Sequence, residues 1–213
     1  MEKILLGVAL CLLEGYLLGS LSFSIIVSRV FKGDDIRNHG SKNAGMTNIL
    51  RTYGKKYALL CGVGDFSKGL LAVLLGRLVF QLLGLTVFDA GYTAGMAALM
   101  GHLFPLYFGF RGGKGVLTGL GVMVALSPVT FVCVLAVALP LLYFTRIVSL
   151  ASITGAALYP FFTVIVHRLQ GRPALLDGIF AAICAVIILY MHRANIQRLR
   201  NGTEYRFGQK KEG

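Results

Sequence analysis

Thirty residues pass from Gly115 to Phe144 without a charged side chain, and Pro128 stands near the middle of the run. About 20 apolar residues are enough for a helix to cross a bilayer. Pro128 cannot donate a helix hydrogen bond, and it pushes Ser127 out of the helical region. The run is therefore either one kinked helix or two shorter legs that turn back. Further apolar runs near 4–30, 57–83, 88–109, 147–167 and 174–192 read as spans. Composition agrees: 56% of the 213 residues are hydrophobic and 14% are charged, against about 25% charged in soluble domains. No linker-like segment divides the chain, so 1–213 reads as a single integral-membrane domain. The N-terminus has no small-residue cleavage pattern and reads as a first span rather than a removed signal.

Charge placement chooses between the two readings of the 115–144 run. With the N-terminus outside, the Arg29–Lys56 loop is inside and holds seven Lys or Arg. If the run splits at Pro128, Arg111, Lys114, Arg146 and the tail with Arg193, Arg198, Arg200, Arg206, Lys210 and Lys211 are inside too. Only Lys3, Arg168 and Arg172 fall outside, while Lys68 and Arg77 stay within a span. An unbroken run would send the basic tail outside, against the positive-inside rule. The expectation is an all-α membrane protein of seven transmembrane segments, one or two of them short or tilted. Its N-terminus would be outside and its C-terminus cytoplasmic.

The net charge of +12 fits that topology and also an affinity for anionic ligands. The cations border the spans and match no DNA-binding module, which argues against nucleic acid. Cys11, Cys61, Cys133 and Cys184 lie in separate apolar runs without metal-site spacing and read as small buried hydrophobes. Nine scattered carboxylates argue against a carboxylate metal cluster. The chain has no G-x-S-x-G elbow and no H-E-x-x-H motif. No His has an Asp five residues on, so the pair used by acyl-CoA-dependent glycerolipid acyltransferases is absent.

Three polar, glycine-rich stretches fall on the cytoplasmic side. In the first, Asp35 to Arg51, Ser41, Asn43, Thr47 and Asn48 offer short hydrogen bonders. Gly40 and Gly45 permit close backbone approach, and Lys42 and Arg51 add charge. Such a set can wrap a phosphate, or it is a capped turn. In the second, Gly112, Gly113, Lys114 and Gly115 ("GGKG") form either an anion nest ahead of a helix or a plain turn beside inside-facing cations. It lacks the Walker A spacing. In the third, His192 and Asn195 share a helix face if the last span continues as a helix, and Glu204 is assigned to pairing with a cation or capping a turn. Asp65 and Lys68, spaced i,i+3, read as a structural ion pair inside a span. Glu14, also within a span, has no evident partner. His39 and His167 are placed outside the chemistry.

Taken in order, "GSLSF…DIRNHGSKNAGMTNILR", "GHLFPLYFGFRGGKG" and "HRANIQRLRNGTE", with "GDFSKG" at Gly64 to Gly69, resemble the bacterial acyl-phosphate-dependent glycerol-3-phosphate acyltransferases, the PlsY family. The resemblance implies a seven-span inner-membrane enzyme of phospholipid biosynthesis. It would move an acyl group from acyl phosphate to the 1-hydroxyl of glycerol 3-phosphate, giving lysophosphatidate and phosphate, without metal or cofactor. It implies that Ser41, Arg51, Lys114, His192 and Asn195 hold the substrate phosphates. Asn43, Gly45, Thr47 and Asn48 would assist binding, and Gly112, Gly113 and Gly115 would form the acyl-phosphate nest. One of Ser149 and Ser152 would join them. Two departures stand out: Leu21-Ser22 occupies a place where the family usually has Pro, and Lys42 replaces a family Gly. Lys42 removes a position free to take positive φ. The general base is either His192 or the acceptor's own phosphate. Membrane lipids are the expected surroundings and a monomer the expected state. The alternatives from other classes are a transporter of a phosphorylated metabolite and a lipid phosphotransferase. The one-sided clustering of the polar blocks argues against the first, and the scarcity of carboxylates for Mg²⁺ against the second.

Overall fold

The computed structural model describes residues 1–208, and these form helices, turns and connecting segments with no strand among them. Lys210 and Lys211, counted above on the inner side, lie outside the described residues. Ten α-helices follow one another: α1 (Glu2–Gly19), α2 (Phe23–Lys32), α3 (Met46–Tyr53), α4 (Lys55–Leu82), α5 (Gly91–Leu103), α6 (Val116–Leu126), α7 (Pro128–Thr145), α8 (Val148–Leu169), α9 (Leu175–Met191) and α10 (Arg193–Arg200). The chain forms two compact units, Met1–Leu126 and the part from Ser127 onward.

Among the described residues, four helical segments are long and apolar enough to cross a membrane. These are Glu2–Lys32, α4, α7 and α8; α9 and α10, bent by 62°, make a fifth if taken together. Helices α5 and α6 have 13 and 11 residues, so they are only about 20 and 17 Å long. Large apolar side chains such as Leu5, Leu59, Leu71, Phe161, Leu175 and Val186 face outward. In a bilayer such faces meet lipid rather than water.

The 115–144 run does split at Ser127, which is extended (φ −149°, ψ 88°), and Pro128 opens α7. Its missing N–H costs nothing there, because the first turn of a helix has no internal acceptor for it. Two expected spans differ in detail. The 4–30 run is interrupted at Ser20–Ser22, where Ser22 turns extended. The 88–109 run is helical only from Gly91 to Leu103. Pro105 disfavours a helical Phe104, and the chain continues as a short 3₁₀ turn over Leu106–Phe108.

In the first unit the helices pack closely because glycines face backbone. A Cβ on Gly69 would collide with the Thr118 carbonyl, and one on Gly121 with the Phe66 carbonyl. This is how α4 and α6 approach without intervening side chains. Arg77 forks onto both oxygens of Asp89 and donates to Ala125 O at 2.9 Å, satisfying a carbonyl at the end of α6. Asp65 and Lys68 form the expected ion pair at 2.9 Å. Neither oxygen of Glu14 finds a hydrogen-bond partner among the described residues. In the second unit α8 packs on α7 and α9. His167, buried, pairs with Asp177 at the start of α9. Cys11, Cys61 and Cys184 are buried and reduced.

Candidate active site

The first polar stretch is built around Asn48, which is 2% exposed. Its Oδ1 accepts from the Ser41 N–H at 3.0 Å. Its Nδ2 donates to the carbonyls of His39, Asn43 and Ile36 at 2.9, 3.1 and 3.2 Å. The sequence reading made Asn48 a substrate-binding group. In the structure both ends of the amide bond the loop's own backbone, so Asn48 shapes the loop. Ser41 is left exposed, with Asn43, Thr47 and Arg51 half-buried. Gly45 is the N-cap of α3, and Arg51 lies in its last turn. Lys42 adopts φ +57°, so the left-handed turn is kept despite the side chain. That costs about 1–2 kcal/mol relative to glycine.

The glycine-lysine stretch lies between α5 and α6. The N–H groups of Gly112 and Gly113 donate to the carbonyls of Leu103 and His102 at 3.1 and 3.2 Å. Those are orphan carbonyls at the end of α5. A Cβ on Gly112 would strike the His102 carbonyl, and one on Gly113 would strike both the His102 ring and the Ala44 carbonyl. Gly115 takes φ +81°, where a side chain is strained. Gly112 and Gly113 supply close approach and spend their N–H groups internally. The anion donors the loop can present begin at Lys114 and continue into the first turn of α6.

Arg37 was read from sequence only as one cation among seven. It joins the two stretches. Its Nη1 donates to Phe108 O at 2.7 Å and Arg111 O at 3.1 Å. Its Nε and Nη2 fork onto Asp35 at 3.0 and 2.8 Å. The Arg37 hydrogen bond, against some burial, holds the Asp35 carboxyl well below the usual range; the Arg37 N–H and Arg29 help. The sequence signal was the D-x-R pair, which lets a planar guanidinium engage a carboxylate two residues back. His39 pairs with Asp34.

The third cluster belongs to the second unit. His192 caps α9 and is 3% exposed. Its Nδ1 lies 2.8 Å from Ile188 O, so Nδ1 carries the proton. In the neutral ring the lone pair is then on Nε2. Glu204 Oε1 accepts from Asn195 Nδ2 at 2.7 Å and from Ser149 Oγ at 2.9 Å, and Oε2 accepts from Arg198 Nε at 2.7 Å. The cation expected for Glu204 is therefore Arg198. Ser149 joins the cluster, whereas Ser152 donates to Val148 O in its own helix. Phe207 N donates to Arg146 O at 2.8 Å, which ties the segment after α10 to the turn before α8.

Burial opposes ionisation of Glu204, but the bonds from Asn195, Arg198 and Ser149 outweigh it and hold the carboxyl below the usual range. A depressed carboxylate stabilises fully above its unfolded pKa, about 4.3 for Glu. That contribution disappears as the pH falls through the folded value. Activity should accordingly show no inflection from Glu204 between pH 5 and 8. Glu204→Gln, uncharged at any pH, should lose about tenfold in kcat/KM across that window, the equivalent of about 1.4 kcal/mol. A pH–rate profile of both proteins checks this.

The family model described as glycerol-3-phosphate acyltransferase matches residues 9–202. A glycerol-3-phosphate acyltransferase of Clostridioides difficile (strain 630) is 44% identical over 197 residues, covering 92% of this chain and 94% of the relative. One from Albidiferax ferrireducens is 45% identical over 202 residues, covering 93% and 88%. Among solved structures, the glycerol 3-phosphate form of PlsY (YgiH), an integral membrane glycerol 3-phosphate acyltransferase, matches with a TM-score of 0.82 at 38% identity, over 94% of this chain and 96% of that one. Its lysophosphatidic acid form matches with a TM-score of 0.79 at 35% identity, over 94% and 95%. The resemblance carried by the ordered blocks is borne out, and so is the all-helical integral-membrane fold. With sequence and fold in agreement over nearly its whole length, the chain belongs to the glycerol-3-phosphate acyltransferase family.

Proposed function

We propose that this protein transfers a fatty acyl group from acyl phosphate to the 1-hydroxyl of glycerol 3-phosphate. The products are lysophosphatidate and inorganic phosphate, and the step opens phospholipid synthesis. One observation carries the reading: the solved relative is described in a glycerol 3-phosphate form and in a lysophosphatidic acid form. These are the acceptor and the product of one acylation. The donor is the one the family resemblance implies, and the glycine-lysine loop, with a cation and a helix N-terminus, suits its phosphate.

In the first unit, Lys114 and the start of α6 hold the donor phosphate within the cradle that Gly112, Gly113 and Gly115 shape. Ser41, Arg51, Asn43, Gly45 and Thr47 supply further phosphate contacts. In the second unit, His192 and Asn195 hold substrate phosphate, with Ser149 beside them. Acyl phosphate is a mixed anhydride, already activated. The hydroxyl oxygen bonds to the acyl carbon, the bond from that carbon to the phosphate oxygen breaks, and phosphate departs with the electron pair. The hydroxyl proton passes to the acceptor's own phosphate. The protein's part is charge neutralisation, at about 1.5–3 kcal/mol per charge-assisted hydrogen bond, and alignment, which supplies up to about 7–11 kcal/mol.

The domain is read as one membrane-embedded whole with seven crossings, counting the short α5 and α6, in a bacterial inner membrane. The N-terminus is outside, the C-terminus is cytoplasmic, and the protein acts as a monomer. Charge supports this sidedness: the Arg29–Lys56 loop holds seven Lys or Arg, while the Leu83–Ala90 connection holds none. A cysteine replacing Lys3 should react with an impermeant maleimide in intact cells, and one replacing Lys56 only after permeabilisation. Equal labelling would overturn the orientation.

Purified protein given glycerol 3-phosphate should form lysophosphatidate with palmitoyl phosphate and none with palmitoyl-CoA. Acylation from the thioester would refute the donor assignment. Acylation from neither, with organophosphate counterflow in liposomes, would favour transport.

His192→Gln tests proton removal. A binding role predicts a KM for glycerol 3-phosphate raised about tenfold or more, the loss of roughly 1.4 kcal/mol of binding, with kcat at saturation within about fivefold. A collapse of kcat with KM unchanged would overturn the binding role, because the lost interaction would then be one made only in the transition state.

A further inference from the structure

Buried groups of the first unit converge on Asp65. Its Oδ1 pairs with Lys68 Nζ at 2.9 Å, accepts from the Phe23 N–H at 3.4 Å, and lies 3.5 Å from Nδ1 of His102. Lys68 Nζ also donates to Leu21 O at 2.8 Å. The side chains of Asp65, Lys68 and His102 are each 5% exposed or less. Thr118 of α6 donates to the Asp65 carbonyl at 3.1 Å.

Part of this arrangement has a structural explanation. Leu21 C=O and Phe23 N–H flank the break between α1 and α2, and inside a bilayer such groups must be satisfied from within the protein. An ion pair that offers both a donor and an acceptor does that. His102 is not needed for it. The His102 ring extends the network toward the glycine-lysine loop instead. Its backbone carbonyl accepts the Gly113 N–H at 3.2 Å. Its ring lies against the Gly113 α-carbon, on which a Cβ would meet both that ring and the Ala44 carbonyl of the first stretch. Lys114 follows directly.

We propose that Asp65, Lys68 and His102 are positioning residues for the glycine-lysine loop. The buried ion pair fixes the imidazole, and the imidazole with the Ala44 carbonyl clamps Gly113 and so sets where Lys114 stands. The link to catalysis rests on reading Lys114 as a ligand of the donor phosphate.

The test uses the full chain in detergent or nanodiscs. Replacing a buried pair by neutral groups of similar volume often leaves stability intact. The double variant Asp65→Asn/Lys68→Gln removes both charges while keeping an acceptor for Phe23 N–H and a donor for Leu21 C=O, so a merely structural pair would be relieved in it with activity kept. A positioning network predicts a melting temperature near the parent's, amide exchange at 112–114 faster by at least tenfold, and KM for acyl phosphate raised at least tenfold. KM for glycerol 3-phosphate should stay within about twofold. His102→Gln, which leaves the ion pair in place, should give the same pattern and stands in if the double variant does not fold. Parental exchange at 112–114 in a folded variant overturns the proposal, as does a parental KM for acyl phosphate. Lys114→Ala is the separate control. If it retains parental KM for acyl phosphate, the donor-site reading fails, and the exchange data alone then decide whether the network positions the loop.

Discussion

A helix that breaks within an apolar run leaves backbone donors and acceptors that need partners from the protein itself, and the first unit is arranged around such a place. The interruption at Ser20–Ser22 leaves Leu21 C=O and Phe23 N–H to be answered by Lys68 and Asp65. Two opposite charges on one face of α4 supply the donor and the acceptor. Charges inside an apolar span are costly and persist only when paired and bonded. Here the cost is offset because each ion meets the other and a backbone group. The pair thereby supports the helix break, and through His102 it borders the loop between α5 and α6.

The same economy runs through the polar stretches. Their backbones are held by side chains that ordinary inspection would take for ligand donors. Asn48 spends its amide on four backbone groups of its own loop. Arg37 spends its guanidinium on Asp35 and on two carbonyls of the next stretch. Gly112 and Gly113 spend their N–H groups on the end of α5. What such scaffolding leaves for ligands is a smaller set, and it includes exposed Ser41.

Much of the fold was legible because its signals are local. Pro128 marked a candidate break that charge placement then selected, whereas Pro140 and Pro160 stay inside α7 and α8; the i,i+3 spacing of Asp65 and Lys68 needs only a helix to make a pair. The break at Ser20–Ser22 was not legible, since the apolar run continues across it and its partners lie on α4. The length of α5 was overestimated because Phe104, Leu106 and Phe108 look like span residues while occupying a turn. The site was legible as blocks but not as contacts. Asn48 and Thr47 have equally suitable chemistry on paper. Only the path of residues 36–43 shows which of them turns inward. Ser149 and Ser152 differ by less than a helical turn, and only the segment carrying Glu204 separates them.

That segment has an implication for the order in which the protein is made. Ser149, Asn195 and Arg198 all precede the carboxylate that gathers them, Asn195 and Arg198 by less than ten positions. A ribosome will have delivered every membrane helix described here before Glu204 leaves its exit tunnel. Until that residue arrives, Ser149, Asn195 and Arg198 lack the carboxylate that gathers them, and a chain ending before it has the helices without the cluster.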